Sequence, residues 1–203
     1  MATYKTTRLQ AVNTILSNIG QSPVTNLDSG NPMVETAEVI LDEIVATVQA
    51  EGWAFNLEYA YPFTPDSGDK YGRITLPDNI LTMDGAPYSS KEYVQRGGYL
   101  YNKTDHTFTF TESVKLDVMW VFPFDEVPEA VKNYMIIRAA NVFAGRVVGS
   151  SEAVRFGQQE EVLARSSALE YETQQGDYNI FQGDNGDKSI SAYTYRPAYS
   201  IYR

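Results

Sequence analysis

The chain has 203 residues, of which 43% are hydrophobic and 13% aromatic. This is enough for one compact domain with an appendage, and it argues against global disorder. The 16 basic and 26 acidic residues give a net charge of −10, and a surface of that sign repels phosphate backbones, which argues against sequence-specific DNA binding. With no cysteine and only one histidine, His106, there is no raw material for disulfides, thiolate catalysis or paired-histidine metal sites.

Membrane-spanning and export segments are not expected. The longest uninterrupted apolar run, Val118–Phe122, is far shorter than the ~20 residues that cross a bilayer. We therefore expect a soluble protein without an export signal or membrane anchor. The absence of cysteine suits a protein that is made and used in a reducing cytosol.

Two helices are predicted before residue 53. The first covers residues 7–19, and Gly20 follows at the position of a helix C-cap. The second covers residues 32–51, with Asn31 as N-cap and Pro32 in the first turn. Their apolar stripes, at helical spacing, are Leu9, Val12, Leu16 and Ile19 in the first helix and Val34, Ala37, Leu41, Ile44 and Val48 in the second.

The hydrophobic period changes to two at Trp53. The alternating residues are Trp53, Phe55, Leu57, Tyr59, Tyr61 and Phe63. This pattern predicts a strand with one buried face. Such an aromatic row could also form a sugar- or base-stacking platform, but strict alternation favours core packing.

Further strands are predicted between residues 73 and 122. Short pieces cover Arg73–Leu76 and Ile80–Met83, and Tyr93–Tyr101 reads as a hairpin with Gly97 and Gly98 in its turn. The last strand alternates through Val114, Leu116, Val118, Trp120 and Phe122.

Two more helices are predicted after the strands. One covers residues 128–148, and Asp125 and Glu126 are interpreted as acids at its N-terminus, where the helix dipole favours them. The other covers residues 151–175 and offers surface ion pairs such as Glu161–Arg165. A helix this polar packs through one narrow face or against another chain.

Residues 176–203 form a helix-poor arm that contains several aromatic side chains. Disordered tails are poor in aromatics, so we expect this arm to become ordered on another surface. The candidate subunit or partner contacts are Tyr178, Phe181, Tyr193, Tyr195, Tyr199 and Tyr202.

The order of elements predicts an α+β fold, a bundle of about four helices with a β-rich insertion and an extended C-terminal arm. The expected divisions are 1–52 for the N-terminal helices, 53–122 for the insertion, 123–175 for the C-terminal helices and 176–203 for the arm.

Six stretches in register resemble the tail tubular protein A family of short-tailed phages. They lie between residues 11 and 183 and include Gly52-Trp53-Ala54-Phe55-Asn56, Arg96-Gly97-Gly98-Tyr99, Phe124-Asp125-Glu126-Val127-Pro128 and Gly176-Asp177-Tyr178-Asn179. The resemblance implies a virion structural protein: a tail adaptor in a dodecameric ring beneath the portal protein. It also implies that the ring joins the portal to the nozzle (tail tubular protein B) and helps dock tail fibres. DNA would pass through the bore without specific binding.

No catalytic, cofactor or metal residues are predicted. His106 lies in a polar stretch without a nearby nucleophile motif and is interpreted as a solvated loop residue. The adjacent pairs Asp125/Glu126 and Glu160/Glu161 point about 100° apart on a helix and do not converge on a substrate. The run Asp184–Asp187 lacks the remaining oxygen positions of a calcium loop and is interpreted as a polar turn.

The alternative function is a virion-associated glycan-hydrolysing or glycan-binding protein. It rests on the abundance of carboxylates, of which a glycosidase needs only two, and of aromatic side chains. We expect instead a structural protein of the virion tail, assembled in the cytoplasm of the host bacterium.

Overall fold

The structure is a computed structural model that describes residues 5–85, 91–147, 149 and 151–176. Within these residues it contains four α-helices and two small antiparallel sheets, so the predicted α+β class is confirmed. The chain forms two compact units: a helical unit from Met1–Phe55 and Phe122–Glu172, and a β unit that contains Asn56–Val121.

The helical unit contains α1 (Arg8–Ser17), α2 (Pro32–Gln49), α3 (Glu129–Val147) and α4, which runs from Ser151 to Gly176. Local capping fixes the first residues of α1 and α2. Thr7 and Gln10 form a reciprocal capping box at α1, and the Asn31 side chain accepts a hydrogen bond from the Met33 amide at α2. The predicted N-cap of α2 is thereby confirmed.

One hydrophobic core joins these helices. The predicted stripe of α2 is fully buried, whereas α1 turns a slightly different face inward. Leu9 and Ile19 are only partly buried, and Ala11 and Ile15 take their places in the core. The buried core residues of α1 and α3 include Ala11, Val12, Ile15, Leu16, Val131, Tyr134, Met135, Ala139 and Phe143.

The first strand does not begin at Trp53, so the predicted start is wrong. Trp53 belongs to the helical unit, where its side chain is buried and its indole N–H donates to the Val48 carbonyl at 2.7 Å. Its ring also packs on Tyr134, with the centroids 6.4 Å apart. The alternating pattern thus begins in the helical core, and the strand itself begins at Leu57.

The β unit holds a three-stranded antiparallel sheet and a hairpin. The sheet contains β1 (Leu57–Phe63), β2 (Ile80–Gly85) and β5 (Val114–Trp120), with β5 in the middle. The hairpin pairs β3 (Tyr93–Arg96) with β4 (Tyr99–Asn102). Gly97 and Gly98 form its turn with φ angles of +59° and +80°, which confirms the predicted hairpin.

A bulge overturns the expected single buried face of β1. The register with β5 shifts between Glu58 and Tyr61, and Ala60 takes a φ of +53° while its amide donates to the Asp117 carboxylate at 2.8 Å. An extra residue in one strand moves the residues beyond it to the opposite face. Leu57, opposite Met119, and Tyr61, opposite Leu116, therefore lie on different faces of the sheet. Tyr59 and Tyr61 are each 38% exposed.

The sequence predicts Asp125 and Glu126 at the N-terminus of α3, and this prediction is wrong. They form a short 3-10 turn, Phe124–Glu126, after which Val127 is extended. Glu129 is the acid in the first turn of α3. The buried Lys132 ammonium fixes this junction, because it donates to the carbonyls of Thr6 and Asp125 and to the Glu129 carboxylate.

Candidate assembly surfaces

Helix α4 contacts the rest of the helical unit through small residues. Ala164 and Ala168 are buried, and Gly157 lies directly against the side chain of Asn141 on α3. A Cβ at position 157 would be 1.8 Å from the Asn141 Oδ1 atom, so only glycine permits this approach. The contact face of α4 is therefore narrow, as its polar sequence predicts.

Hydrogen bonds and ion pairs hold α4 against α3 and the end of α2. Glu51, just after α2, accepts from Arg138 of α3 at 3.0 Å and from Arg165 of α4 at 3.1 Å. The hydrogen bond to Glu51 raises the pKa of Arg165. Glu161 accepts from Asn141 at 2.9 Å and lies 3.8 Å from Arg138. The predicted Glu161–Arg165 pair is therefore wrong, because each side chain binds a different element.

The opposite side of α4 exposes aliphatic side chains. Val162 is 65% exposed and Leu163 is 69% exposed. Ser166 and Leu169 follow at helical spacing on the same side, and Leu169 is 43% exposed. We call Val162, Leu163, Ser166 and Leu169 the α4 outer face. Large aliphatic side chains grouped on a helix that is otherwise polar make this face a candidate surface for contact with another chain.

A further exposed aliphatic residue lies on α2. Val39 is 65% exposed, and its helical neighbours Glu35, Asp42 and Glu43 are also exposed. Asp42 accepts two hydrogen bonds from Arg8, and Glu43 binds Arg146 at 2.6 Å. We call these four residues the α2 outer face. It differs from the α4 outer face in that acids surround its apolar centre.

The β unit contains an open groove of about 340 Å³, lined by Arg73, Arg96, Gly97, Tyr99 and Phe108. We call it the β groove. Hairpin register brings Arg96 opposite Tyr99, and the segment before β2 bridges to the hairpin through Thr75 and Tyr99. Pairing therefore places both arginines beside tyrosine rings of β4.

Both arginines of the β groove stack on tyrosine rings. The Arg73 guanidinium lies 4.4 Å from the centroid of Tyr99, and that of Arg96 lies 4.0 Å from the centroid of Tyr101. Tyr101 packs in turn on Phe108, with centroids 4.7 Å apart. These cation–π contacts hold the guanidinium groups in position while their edges remain able to donate hydrogen bonds.

The two arginines differ in their charge partners. Arg73 binds Asp69 through two hydrogen bonds of 2.9 and 3.0 Å, and these bonds lower the pKa of Asp69 to about 2. Within the described part of the chain, no carboxylate lies at salt-bridge distance from Arg96. Arg96 therefore brings a positive charge to the groove that the described residues do not neutralise.

The sequence-predicted candidates are distributed differently. The six aromatic residues of the arm and the run Asp184–Asp187 lie outside the described residues. His106 is exposed, with a φ of +54° in the turn between Asn102 and Thr107, as expected for a loop residue. Glu160 is exposed on α4, whereas Glu161 is held by Asn141, so the two do not act as a pair.

The aromatic row of β1 does not form a flat stacking platform. Tyr61 packs edge-on against Trp120 at 5.3 Å and against Phe63 at 4.9 Å. Rings that pack on one another in this way present edges as well as faces to solvent.

Sequence reasoning missed the α4 outer face and the β groove. The signal for the groove was in the hairpin, because Arg96 and Tyr99 flank a two-residue turn and must lie side by side. For the α4 outer face, the signal was the pair Val162-Leu163 inside a polar helix.

The described residues contain no group of three or more acidic or histidine side chains placed to hold a metal ion. Among the described helices, none combines the length and apolar character that a membrane crossing requires.

The fold and these surfaces define a class of protein. Exposed aliphatic and arginine–aromatic patches on a helical bundle with a β unit are typical of structural proteins that contact other chains.

The chain belongs to the tail tubular protein family, whose sequence model matches residues 9–178. It is therefore a structural protein of the phage tail and not an enzyme. One relative is the tail tubular protein A of Klebsiella phage KP34, which is 29% identical over 157 residues. That alignment covers 75% of this chain and 80% of the relative.

Proposed function

We propose that this chain forms the adaptor ring of a short phage tail, a dodecamer that joins the portal to the nozzle protein and helps dock the tail fibres. Assembly takes place in the cytoplasm of the host bacterium. Membership of the tail tubular protein family supports the proposal.

The α4 outer face is the observation that carries the proposal. Val162 and Leu163 are each about two-thirds exposed, and full burial of such side chains contributes roughly 1.5–3 kcal/mol each. In our proposal the α4 outer face of one subunit packs on the α2 outer face of the next. A closed ring of this kind uses two different faces of each subunit, so both are covered in every copy.

The charge of the chain suits a conduit for DNA. Twelve copies with a net charge of −10 each give a formal charge of about −120 for the ring. Acidic groups facing the bore repel the phosphate backbone, so that DNA passes through without adhering.

The test is to place charge on the α4 outer face. We expect the double variant Val162→Asp with Leu163→Asp to assemble at least tenfold more weakly, because an interface cannot bury two unpaired carboxylates. Sedimentation velocity and native mass spectrometry measure the assembly, and circular dichroism checks the fold.

Asn133→Asp is the matched control, because it adds a negative charge at an exposed position of α3 and should assemble normally. Normal assembly of the double variant would show that the α4 outer face is not the lateral contact.

A further inference from the structure

We propose that the β groove binds residues 177–187 of this same chain, the first part of the C-terminal arm. These residues lie outside the described part of the structure, and their chemistry is read from the sequence. The inference does not depend on the adaptor ring, because the segment of either the same copy or a neighbouring copy can fill the groove.

The β groove selects for an anion next to an aromatic ring. Arg96 carries a positive charge that the described residues leave without a carboxylate partner, and Tyr101 holds it in place. Tyr99 and Phe108 supply aromatic surface, and Phe108 is 38% exposed. An arginine that is already oriented binds a carboxylate with two parallel hydrogen bonds and loses little side-chain entropy in doing so.

The arm supplies the matching chemistry in residues 177–187. Residues 177–187 contain Asp177, Asp184 and Asp187 but no lysine or arginine, and Tyr178 and Phe181 lie between the acids. The remainder of the arm has the opposite character, because its positive charges are Lys188, Arg196 and Arg203 and it has no acid. Charge complementarity therefore assigns the β groove to the first part of the arm.

The groove also has a suitable size. A volume of about 340 Å³ accommodates a few side chains and not a folded domain. An extended segment of eleven residues spans up to roughly 36 Å, so it can cross the groove and place an aspartate and an aromatic ring in it together. An acidic extended segment is the kind of partner that such a groove fits.

Disulfide trapping in the full-length chain provides the test. The protein has no cysteine, so Thr109→Cys beside the groove and Asn185→Cys in the arm create a single possible pair. A disulfide forms only when the two Cα atoms come within about 7 Å. We expect oxidation in a glutathione buffer to be at least tenfold faster for this pair than for the control pair, Ser167→Cys with Asn185→Cys.

The control pair is stringent. Ser167 is exposed on α4 and lies only nine residues before the end of that helix, so a freely moving arm would reach it often. Non-reducing gels distinguish a disulfide within one chain from one between two chains. Either product supports the groove as the docking site, and their ratio shows which copy supplies the arm.

Charge variants test the role of Arg96. In the Thr109→Cys/Asn185→Cys chain, Arg96→Gln should slow trapping about tenfold, whereas Gln95→Ala, on the other face of the hairpin, should leave the rate unchanged. Arg96→Glu should also slow trapping, and Asp184→Lys with Asp187→Lys should restore it. Rescue of this kind cannot arise from a misfolded hairpin. Equal rates for the groove and control pairs, or no effect of Arg96→Gln, would overturn the proposal.

Discussion

At the scale of single residues, Gly157 shows how one missing methyl group sets the position of a helix. At an exposed position of a helix, replacing glycine by alanine stabilises the helix by about 1 kcal/mol. Here the new Cβ would meet Asn141, whose side chain is nearly buried and bound to Glu161. The steric conflict outweighs the helix propensity.

Gly157→Ala should therefore lower the free energy of unfolding by about 1–3 kcal/mol, the usual cost of overpacking. Urea denaturation followed by circular dichroism measures it. Ser167→Ala, at an exposed position of the same helix, should change the stability by less than about 0.5 kcal/mol. A Gly157→Ala protein as stable as the parent would disprove this account of the α3–α4 contact.

Gly97 and Gly98 are needed for backbone conformation. Both have positive φ, and a Cβ at either position would have no atom within 4 Å. Replacing both by valine should destabilise the β unit by about 2–4 kcal/mol in total, since a left-handed conformation costs roughly 1–2 kcal/mol per non-glycine residue. Thermal unfolding measures the loss.

Gly68→Val is the control for the glycine pair, because position 68 is equally open but does not have a positive φ. It should be nearly neutral. An equal loss of stability in the control and in the double variant would mean that the turn conformation is not the cause.

The sequence predicted the hairpin glycines and not Gly157, for a physical reason. A two-residue turn depends on the φ angles of its own residues, which the pattern Arg96-Gly97-Gly98-Tyr99 reveals. The role of Gly157 depends on a side chain of another helix, Asn141, and no local pattern shows that contact.

At the scale of elements, helices were predicted well and strand faces were not. Helical spacing and the cap at Asn31 located α2, because both are local signals. The alternation from Trp53 to Phe63 extended across the boundary between two units and through the bulge at Ala60. A bulge depends on the neighbouring strand. Here the Asp117 carboxylate of β5 accepts a hydrogen bond from the Ala60 amide.

Acidic groups make the stability of the β unit depend on pH. Arg73 lowers the pKa of Asp69 to about 2, and Lys103 and Lys91 lower the pKa values of Glu92 and Asp105. Groups with a lowered folded pKa contribute stability above their unfolded pKa and lose it as the pH falls through the folded value. Burial and the charge of Asp84 raise the pKa of Asp117, which has the opposite effect.

We therefore expect the stability of the β unit to decrease as the pH falls from about 4.5 to about 2. Asp69 should be the last of these three lowered groups to titrate. Carboxyl chemical shifts followed by NMR give the individual pKa values. Asp69→Asn should remove the step near pH 2 and leave those of Glu92 and Asp105 in place. An Asp69 that titrates at its ordinary pKa would contradict the Arg73 contact.

At the scale of the whole molecule, the protein is a structural component of a phage tail, and it exposes large aliphatic side chains on α4. The fold class and the family could be predicted from the sequence. The hydrophobic period changes between helices and strands, and the short family motifs occur in order along the chain. The α4 outer face was missed. The sequence shows the pair Val162-Leu163 in a polar helix, but only the structure shows that Ala164 and Ala168 face inward and leave that pair exposed.

In our proposal the chain assembles into a closed ring that binds the portal. Native mass spectrometry of the purified protein with its portal tests it most directly. Twelve subunits of 22.7 kDa give a predicted mass increment of about 270 kDa on the portal, as a single species without intermediate ring sizes. A chain that stays monomeric and adds no defined mass to the portal would contradict the claim.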